Sequence, residues 1–479
     1  MKARFTLPAA LSLTLAAILP AQAQENLDDV LGGFDEPAIG TPMDKALEGF
    51  DDAAPSPPPE AQTPVQTPVQ TIAPSPWTVS GSVSFSAAYD YTQNAPAVGE
   101  SDKRGLSRAR PKATLELKGN LPDQLPVPLR VLAEVSAAHE LVYGVRGRGD
   151  YSATVKNAFE RDVNLGELYA NGRLTDKFEL TLGRQIVVWG TSENLRVVDV
   201  VNPLDKRELG MVDIEDVRLP LAMARADYVT GPWTATALAI PHIRFNKTAP
   251  AYSAYDTSNG AAPQNDVPAD ELDNMELAAS LRGNFSGWDL SLHAANLYDD
   301  AGHKESVNGE TRIRHSRVNM LGVTGDVALG NWLVKGEAAN ISGLQTLGRP
   351  GKDFTRSDVL FGVEYSGLTD ASVSFETVNR HLHGWSDALR GEGLRKDTQE
   401  YALRFTGDYL YDRLHATVLA SRISPLTRGG GFTRASLEYD LQDALSITGG
   451  ITLYHDGTRK PFKGLGDNDR VFVEIKQSF

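Results

Sequence analysis

Every second position from Val79 to Tyr91 is apolar, aromatic or glycine: Val79, Gly81, Val83, Phe85, Ala87, Tyr89 and Tyr91. Ser80, Ser82, Ser84, Ser86 and Asp90 fill the gaps. A period of two is a strand with one apolar and one polar face. The pattern returns along residues 77–479, and this limits the chain to two architectures. A soluble sandwich buries its apolar faces between sheets. A membrane barrel turns them to lipid and keeps the polar faces around a wet lumen. Alternation alone does not choose between the two.

Three further features do. Connections between strands alternate in length. Short ones fall at 119–126, 173–177, 230–232, 285–288, 329–331, 367–370, 410–412 and 440–443. Long ones fall at 93–105, 139–162, 188–219, 245–270, 299–312, 344–355, 383–398 and 455–469. Short periplasmic turns set against long outer loops are the habit of membrane barrels. Aromatic residues also cluster at turns and strand ends (Trp77, Phe178, Trp233, Trp288, Trp332, Tyr409, Tyr411), as interfacial girdles require. Finally, the last stretch sets Val471, Val473, Ile475 and Phe479 on one face and Phe472, Glu474 and Lys476 on the other. A closing strand that ends on Phe479 resembles the signal read by the outer-membrane assembly machinery. The expected fold is all-β, a transmembrane antiparallel up-and-down barrel of about 18 strands, wide enough for an aqueous channel. Its partners are outer-membrane lipid and, through Phe479, that machinery. Loops 139–162 and 245–270 have room for an extra hairpin.

The chain ahead of the barrel reads differently. Residues 1–23 carry Lys2 and Arg4, an apolar run and Ala21-Gln22-Ala23, the parts of a cleaved signal peptide. Residues 24–76 form an acidic, Pro-rich periplasmic tail or linker, with Thr63-Pro64-Val65-Gln66 repeated at Thr67-Pro68-Val69-Gln70. Within it Gly33-Phe34-Asp35-Glu36 is echoed by Gly49-Phe50-Asp51-Asp52. Phe34 and Phe50 are candidate ligands for a periplasmic or inner-membrane transporter partner. The formal net charge of −15 argues against a nucleic-acid partner, and the absence of cysteine removes disulfides and thiolate metal sites. The expected location is the outer membrane of a Gram-negative bacterium.

Assigning the polar set of each strand to the lumen gives a wall of mixed charge. Arg108, Arg110 and Lys112 make a basic ladder on one strand, and three like charges side by side need acids or a passing anion beside them. Further inward assignments include Glu134, Glu167, Arg184, Arg225, Arg314, Glu337 and Glu376. The connector 188–219 is long for a compact domain and rich in Val, Leu and Ile, so it should fold back into the barrel. Asn202-Pro203-Leu204-Asp205 is a turn signal within it. The candidate constriction residues are Arg184, Arg196, Asp199, Asn202, Asp205, Lys206, Arg207, Glu208, Asp213, Glu215, Asp216 and Arg218. Their charges should pair with lumen arginines and fix the loop inside.

Gly183-Arg184-Gln185, Trp189-Gly190, Asp199, Asn202-Pro203-Leu204-Asp205, the stretch 213–218 with Pro220, Trp233 and Ile240-Pro241 resemble the pattern of an uncharacterised Gram-negative outer-membrane barrel family, a domain of unknown function. The resemblance spans residues 183–241. It implies a barrel and a genomic association with resistance-nodulation-division transporters of the lipid-exporting sort. The tail lies outside it.

An enzyme is not expected. No G-x-S-x-G elbow occurs, and His381 and His383 flank Leu382 with no acid at ligand spacing in the sequence. No metal or cofactor is expected either. The expected function is an outer-membrane channel or conduit, porin-like or linked to export, with its pore narrowed by the in-folded loop. The alternative is a structural or adhesive surface barrel that the loop plugs permanently.

Overall fold

The computed structural model describes residues 77–96, 102–121, 127–212, 216–258, 260, 263–347 and 351–479. Eighteen strands form one sheet. In chain order they are β1 (Trp77–Asp90), β2 (Gly105–Asn120), β3 (Leu129–His139), β4 (Arg161–Thr175), β5 (Phe178–Gln185) and β6 (Leu221–Thr230). Next come β7 (Trp233–Ile240), β8 (Glu276–Phe285), β9 (Trp288–Tyr298), β10 (Arg317–Leu329), β11 (Trp332–Leu344) and β12 (Phe354–Leu368). The last are β13 (Ala371–Leu382), β14 (Asp397–Tyr409), β15 (Leu414–Ile423), β16 (Gly431–Gln442), β17 (Leu445–His455) and β18 (Arg470–Ser478).

Each strand pairs antiparallel with its chain neighbours, and β18 returns to β1 with Ser82 opposite Ser478 and Asp90 opposite Arg470. Gly81 and Phe479 exchange both backbone hydrogen bonds, at 2.9 and 3.0 Å, and so finish the seam. Closure matters because lipid offers no hydrogen bonds to an open edge. The expected barrel of 18 strands is what the chain forms.

Outward side chains follow from the period. Val79, Val83, Phe85, Leu115, Leu182, Leu292, Phe361, Leu403, Val471, Val473 and Ile475 are exposed, as a lipid-facing band requires. Aromatic pairs mark the short-turn end: Trp233 on Phe285, Phe285 on Trp288 and Trp332 on Tyr365, with ring centroids 5.3, 4.2 and 4.5 Å apart. The two roomy loops add no barrel strands. Residues 140–160 form two short helices, α1 (Val142–Arg146) and α2 (Ala153–Phe159), the second capped where Ser152 Oγ accepts from Val155 N at 3.3 Å. In the 241–275 connection Lys247–Thr248 pairs in parallel with Asp205–Lys206, and Gln264–Asn265 pairs with a small hairpin of His303–Val307 and Glu310–Arg314, both outside the barrel sheet. Arg314, assigned from the sequence to the lumen wall, belongs to that hairpin and pairs with Asp266 and Glu305.

One half of the bore has an apolar inward face. Met223, Ile240, Ala278, Leu297, Met320, Ile341, Leu360, Val378 and Ala402 all point inward from β6 to β14 and are buried. Strands that are apolar on both faces need cover on both. The cover is the connector between β5 and β6.

Candidate functional site

The connector, residues 186–220, holds its own shape through Asn202. This side chain is fully buried; its Oδ1 accepts from Val187 N at 2.8 Å, and its Nδ2 donates to Leu219 O at 2.9 Å and Gln185 O at 3.3 Å. One amide thus ties the entry of the loop to its exit. Asp199 adds a second knot, pairing with Arg196 at 2.9 Å and with Arg218 at 3.0 Å while accepting from Trp189 N at 3.3 Å. Beyond Pro203 the chain doubles back, with Leu219 N donating to Pro203 O and Asp205 N to Val217 O, both at 2.7 Å.

Two carboxylates on the barrel wall grip the loop backbone. Glu376 of β13 accepts from the N–H groups of Glu193, Asn194 and Leu195 at 2.8, 3.0 and 3.0 Å, and from Ser192 Oγ at 3.2 Å. Glu337 of β11 accepts from Thr191 N and Ser192 N at 2.8 and 2.9 Å and from Val198 N at 3.4 Å. Both acids are nearly inaccessible, at 1 % and 3 %. A buried carboxylate is tolerated when several donors face it. Gly190 explains its own identity here: φ is +89°, and a Cβ would lie 2.6 Å from Glu337 Oε1. On either side of the grip, Lys335 binds Glu193 at 2.7 Å and Arg380 donates to Arg196 O at 2.9 Å. Arg380 is itself held by Asp358 and Glu400, at 2.6 and 2.8 Å. Val187, Trp189, Leu195, Val197, Val198 and Val201 then pack on the apolar wall as one cluster, with Trp189 against His293 of β9 at 4.8 Å.

The far side of the loop carries charge. Glu208 binds Arg108 at 2.6 Å and Arg110 at 3.0 Å, and Arg110 also binds Glu140 at 3.1 Å. Enclosure works against the ionised Glu208, yet the two guanidiniums prevail and hold its pKa well below the usual carboxylate range. Asp205 binds Arg207 at 2.5 Å, and Arg207 reaches Asp162 of β4 at 2.7 Å. Lys206 is solvent-accessible but enclosed by the barrel. That enclosure, with Arg196 and Arg380 close and Asp300 and Asp299 only partly offsetting them, lowers its pKa. An open polar cavity separates this side of the loop from the wall of β1–β4, β16 and β18. It is lined by Ser82, Lys112, Glu134, Glu167, Asp216 and Lys476 among others.

The structure therefore gathers Arg196, Asp199, Asn202, Asp205, Lys206, Arg207, Glu208, Asp216 and Arg218 on the loop, with the Arg108, Arg110 and Lys112 ladder facing it. Arg184 is the exception. It shares the outward parity of Leu182 on β5, and its Nε donates to the backbone carbonyls of Leu165 and Gly166 at 2.9 and 3.0 Å. Charge does not override the period, so Arg184 leaves the pore set. Asp213, Glu215, Phe34, Phe50 and the segments 1–23 and 24–76 lie outside the described residues. His381, which lacked an acid nearby in sequence, meets Asp397 of β14 at 2.7 Å on the outward face, and His383 meets Ser357 at 2.8 Å. Sequence reasoning missed the loop-holding roles of Glu337, Glu376, Lys335 and Arg380. The available signal was the run of inward apolar residues around them.

A family model described as a protein of unknown function (DUF1302) matches residues 69–479. The chain belongs to this family. The match extends well beyond the stretch 183–241 that carried the resemblance and includes the whole barrel. Among solved structures, the barrel is similar to Pseudomonas aeruginosa OpdK crystallised with vanillate, with 11% identity, 84% of this chain and 98% of that chain covered, and a TM-score of 0.51. It is also similar to Pseudomonas aeruginosa OccK2 (OpdF), with 13% identity, 84% and 97% coverage and a TM-score of 0.50. At such identity the likeness is one of fold, the outer-membrane β-barrel. No curated protein matches the chain.

Proposed function

We propose that this family member is a porin-like outer-membrane channel in which the β5–β6 connector narrows the passage. The observation that carries the reading is attachment from two sides. Glu337 and Glu376 hold the loop backbone on β11 and β13, while Arg108 and Arg110 hold its tip on β2. Solutes would pass through the polar cavity between the loop and the wall of β1–β4, β16 and β18. Lining of both signs suits small hydrophilic solutes, with selectivity set by local charge rather than a single-sign ring. OpdK was crystallised with vanillate, so small organic carboxylates are sensible first solutes.

Two attachments outside the pore belong to the same proposal. Phe479 serves as the assembly signal, and Phe34 and Phe50 recruit a periplasmic or inner-membrane transporter partner that hands cargo to the barrel. The plugged-barrel alternative draws on the apolar seam, where Val198 of the loop and Val378 of the wall are both fully buried. Planar-bilayer recording separates them. A channel conducts, and conducts more after residues 196–213 are deleted. Silence from both the intact and the deleted barrel would leave the plug.

A further inference from the structure

A second cavity lies at the long-loop end of β1–β3, behind the tip of the connector. Its lining combines the rings of Tyr143, Tyr151, Phe159 and Tyr255 with the guanidiniums of Arg108 and Arg110. Ser253 also lines it. This residue is 5 % exposed, and its Oγ has no hydrogen-bond partner among the described residues. At the polar end sits Glu208, a carboxylate supplied by the loop itself and bound by both arginines, at 2.6 Å from Arg108 and 3.0 Å from Arg110. Glu140, the other acid on Arg110, is committed elsewhere: its Oε1 accepts from Ala109 N at 2.6 Å and Val142 N at 3.3 Å. Glu208 is held by arginine side chains rather than by backbone donors.

We infer that this cavity is a binding site for small aromatic carboxylates, and that Glu208 occupies the place of the ligand's carboxylate until one arrives. The inference rests on the channel reading and names its solute class. Two guanidiniums in a partly enclosed site select a planar anion, because charge-assisted, paired hydrogen bonds reward that shape. Rings on the cavity wall favour a flat apolar body next to that anion. The unpartnered Ser253 hydroxyl offers a hydrogen bond to a polar ring substituent. A ligand that displaces Glu208 exchanges one carboxylate for another, so the charge on the arginines stays balanced. It also frees the tip of the connector from β2.

Calorimetric titration of the full-length barrel in detergent with benzoate tests this. Glu208→Gln removes the competing charge and should tighten benzoate binding by about tenfold, the worth of roughly one charge-assisted hydrogen bond. Benzyl alcohol, which keeps the ring without the carboxylate, should bind neither protein measurably. Ser253→Val in the Glu208→Gln background fills the cavity and should reverse most of the gain. Benzoate binding no tighter in Glu208→Gln than in the parent, or benzyl alcohol binding as well as benzoate, overturns the inference. Calorimetry reads binding whether or not the barrel conducts. Silence from both the intact and the deleted barrel, with tightened benzoate binding, would remove the channel reading and leave this site standing. Conductance without tightening would do the reverse.

Discussion

Replacing Glu376 by alanine removes four hydrogen bonds to the connector at once, three from backbone N–H groups and one from Ser192 Oγ. Bonds to an ionised partner in an enclosed site are worth more than neutral ones, but water entering the vacated space recovers part of the loss. About 1 kcal/mol per bond gives a net cost near 4 kcal/mol. That cost falls on the loop rather than the barrel, because strand pairing around β13 does not involve the Glu376 side chain. Hydrogen exchange resolves the two. Amides of residues 193–195 should lose about a thousandfold in protection, since each 1.4 kcal/mol is roughly tenfold, while those of β12 and β14 keep theirs. In bilayers the same variant should show larger or noisier current. Unchanged exchange at residues 193–195 would mean that Glu376 does not hold the loop, and the clamp would have to be abandoned.

Other expectations follow from the same geometry. Asn202→Ala removes the three hydrogen bonds that tie the loop's entry to its exit, costing about 3 kcal/mol locally; limited proteolysis should nick residues 186–220 while the barrel still migrates as a folded species on unheated gels. The pKa of Glu208 is lowered by Arg108 and Arg110. Its attachment is therefore complete above the ordinary glutamate pKa and is lost only as pH falls through the lower folded value. Single-channel current should show no transition at the tip between about pH 8 and pH 5, and a transition near neutral pH that disappears in Glu208→Gln would contradict this. Gly190→Ala puts a Cβ where Glu337 sits and at a positive φ, so it should loosen the loop as Glu376→Ala does, read by the same exchange experiment.

The barrel was legible because lipid outside and water inside write a period of two into strands such as β1, β2 and β18. The alternation of short and long turns then gave the strand count. The connector was legible from its Val and Leu content, and the ladder's need for acids anticipated Glu208. Arg184 was misread because its charge was allowed to outweigh its position two residues from Leu182 on the same face. Glu337 and Glu376 were visible as inward acids, but an acid facing water and an acid facing a loop's N–H groups look alike in sequence. The distinction lay in their neighbours: Ala339, Ile341 and Val378 are inward and apolar, which makes sense only when protein covers them. The crossing of the 241–275 connection to β17, where Tyr255 meets Tyr454 at 6.2 Å and Ala254 O accepts from Asn468, had no local signature.

The absence of cysteine in the native chain permits a direct test of the loop's seat. A Cβ built on Gly322 of β10 lies 2.7 Å from Val198 Cγ1, so cysteines at these two positions have Cβ atoms within the about 3.5–4.5 Å that a disulfide spans. With the connector inside the barrel, Val198→Cys/Gly322→Cys should form an intramolecular disulfide in assembled outer-membrane protein, and each single variant should keep its thiol shielded from bulky maleimides. Two free thiols in the double variant, with the one introduced at position 198 readily labelled from outside the cell, would place the connector outside the bore and contradict the constricted channel.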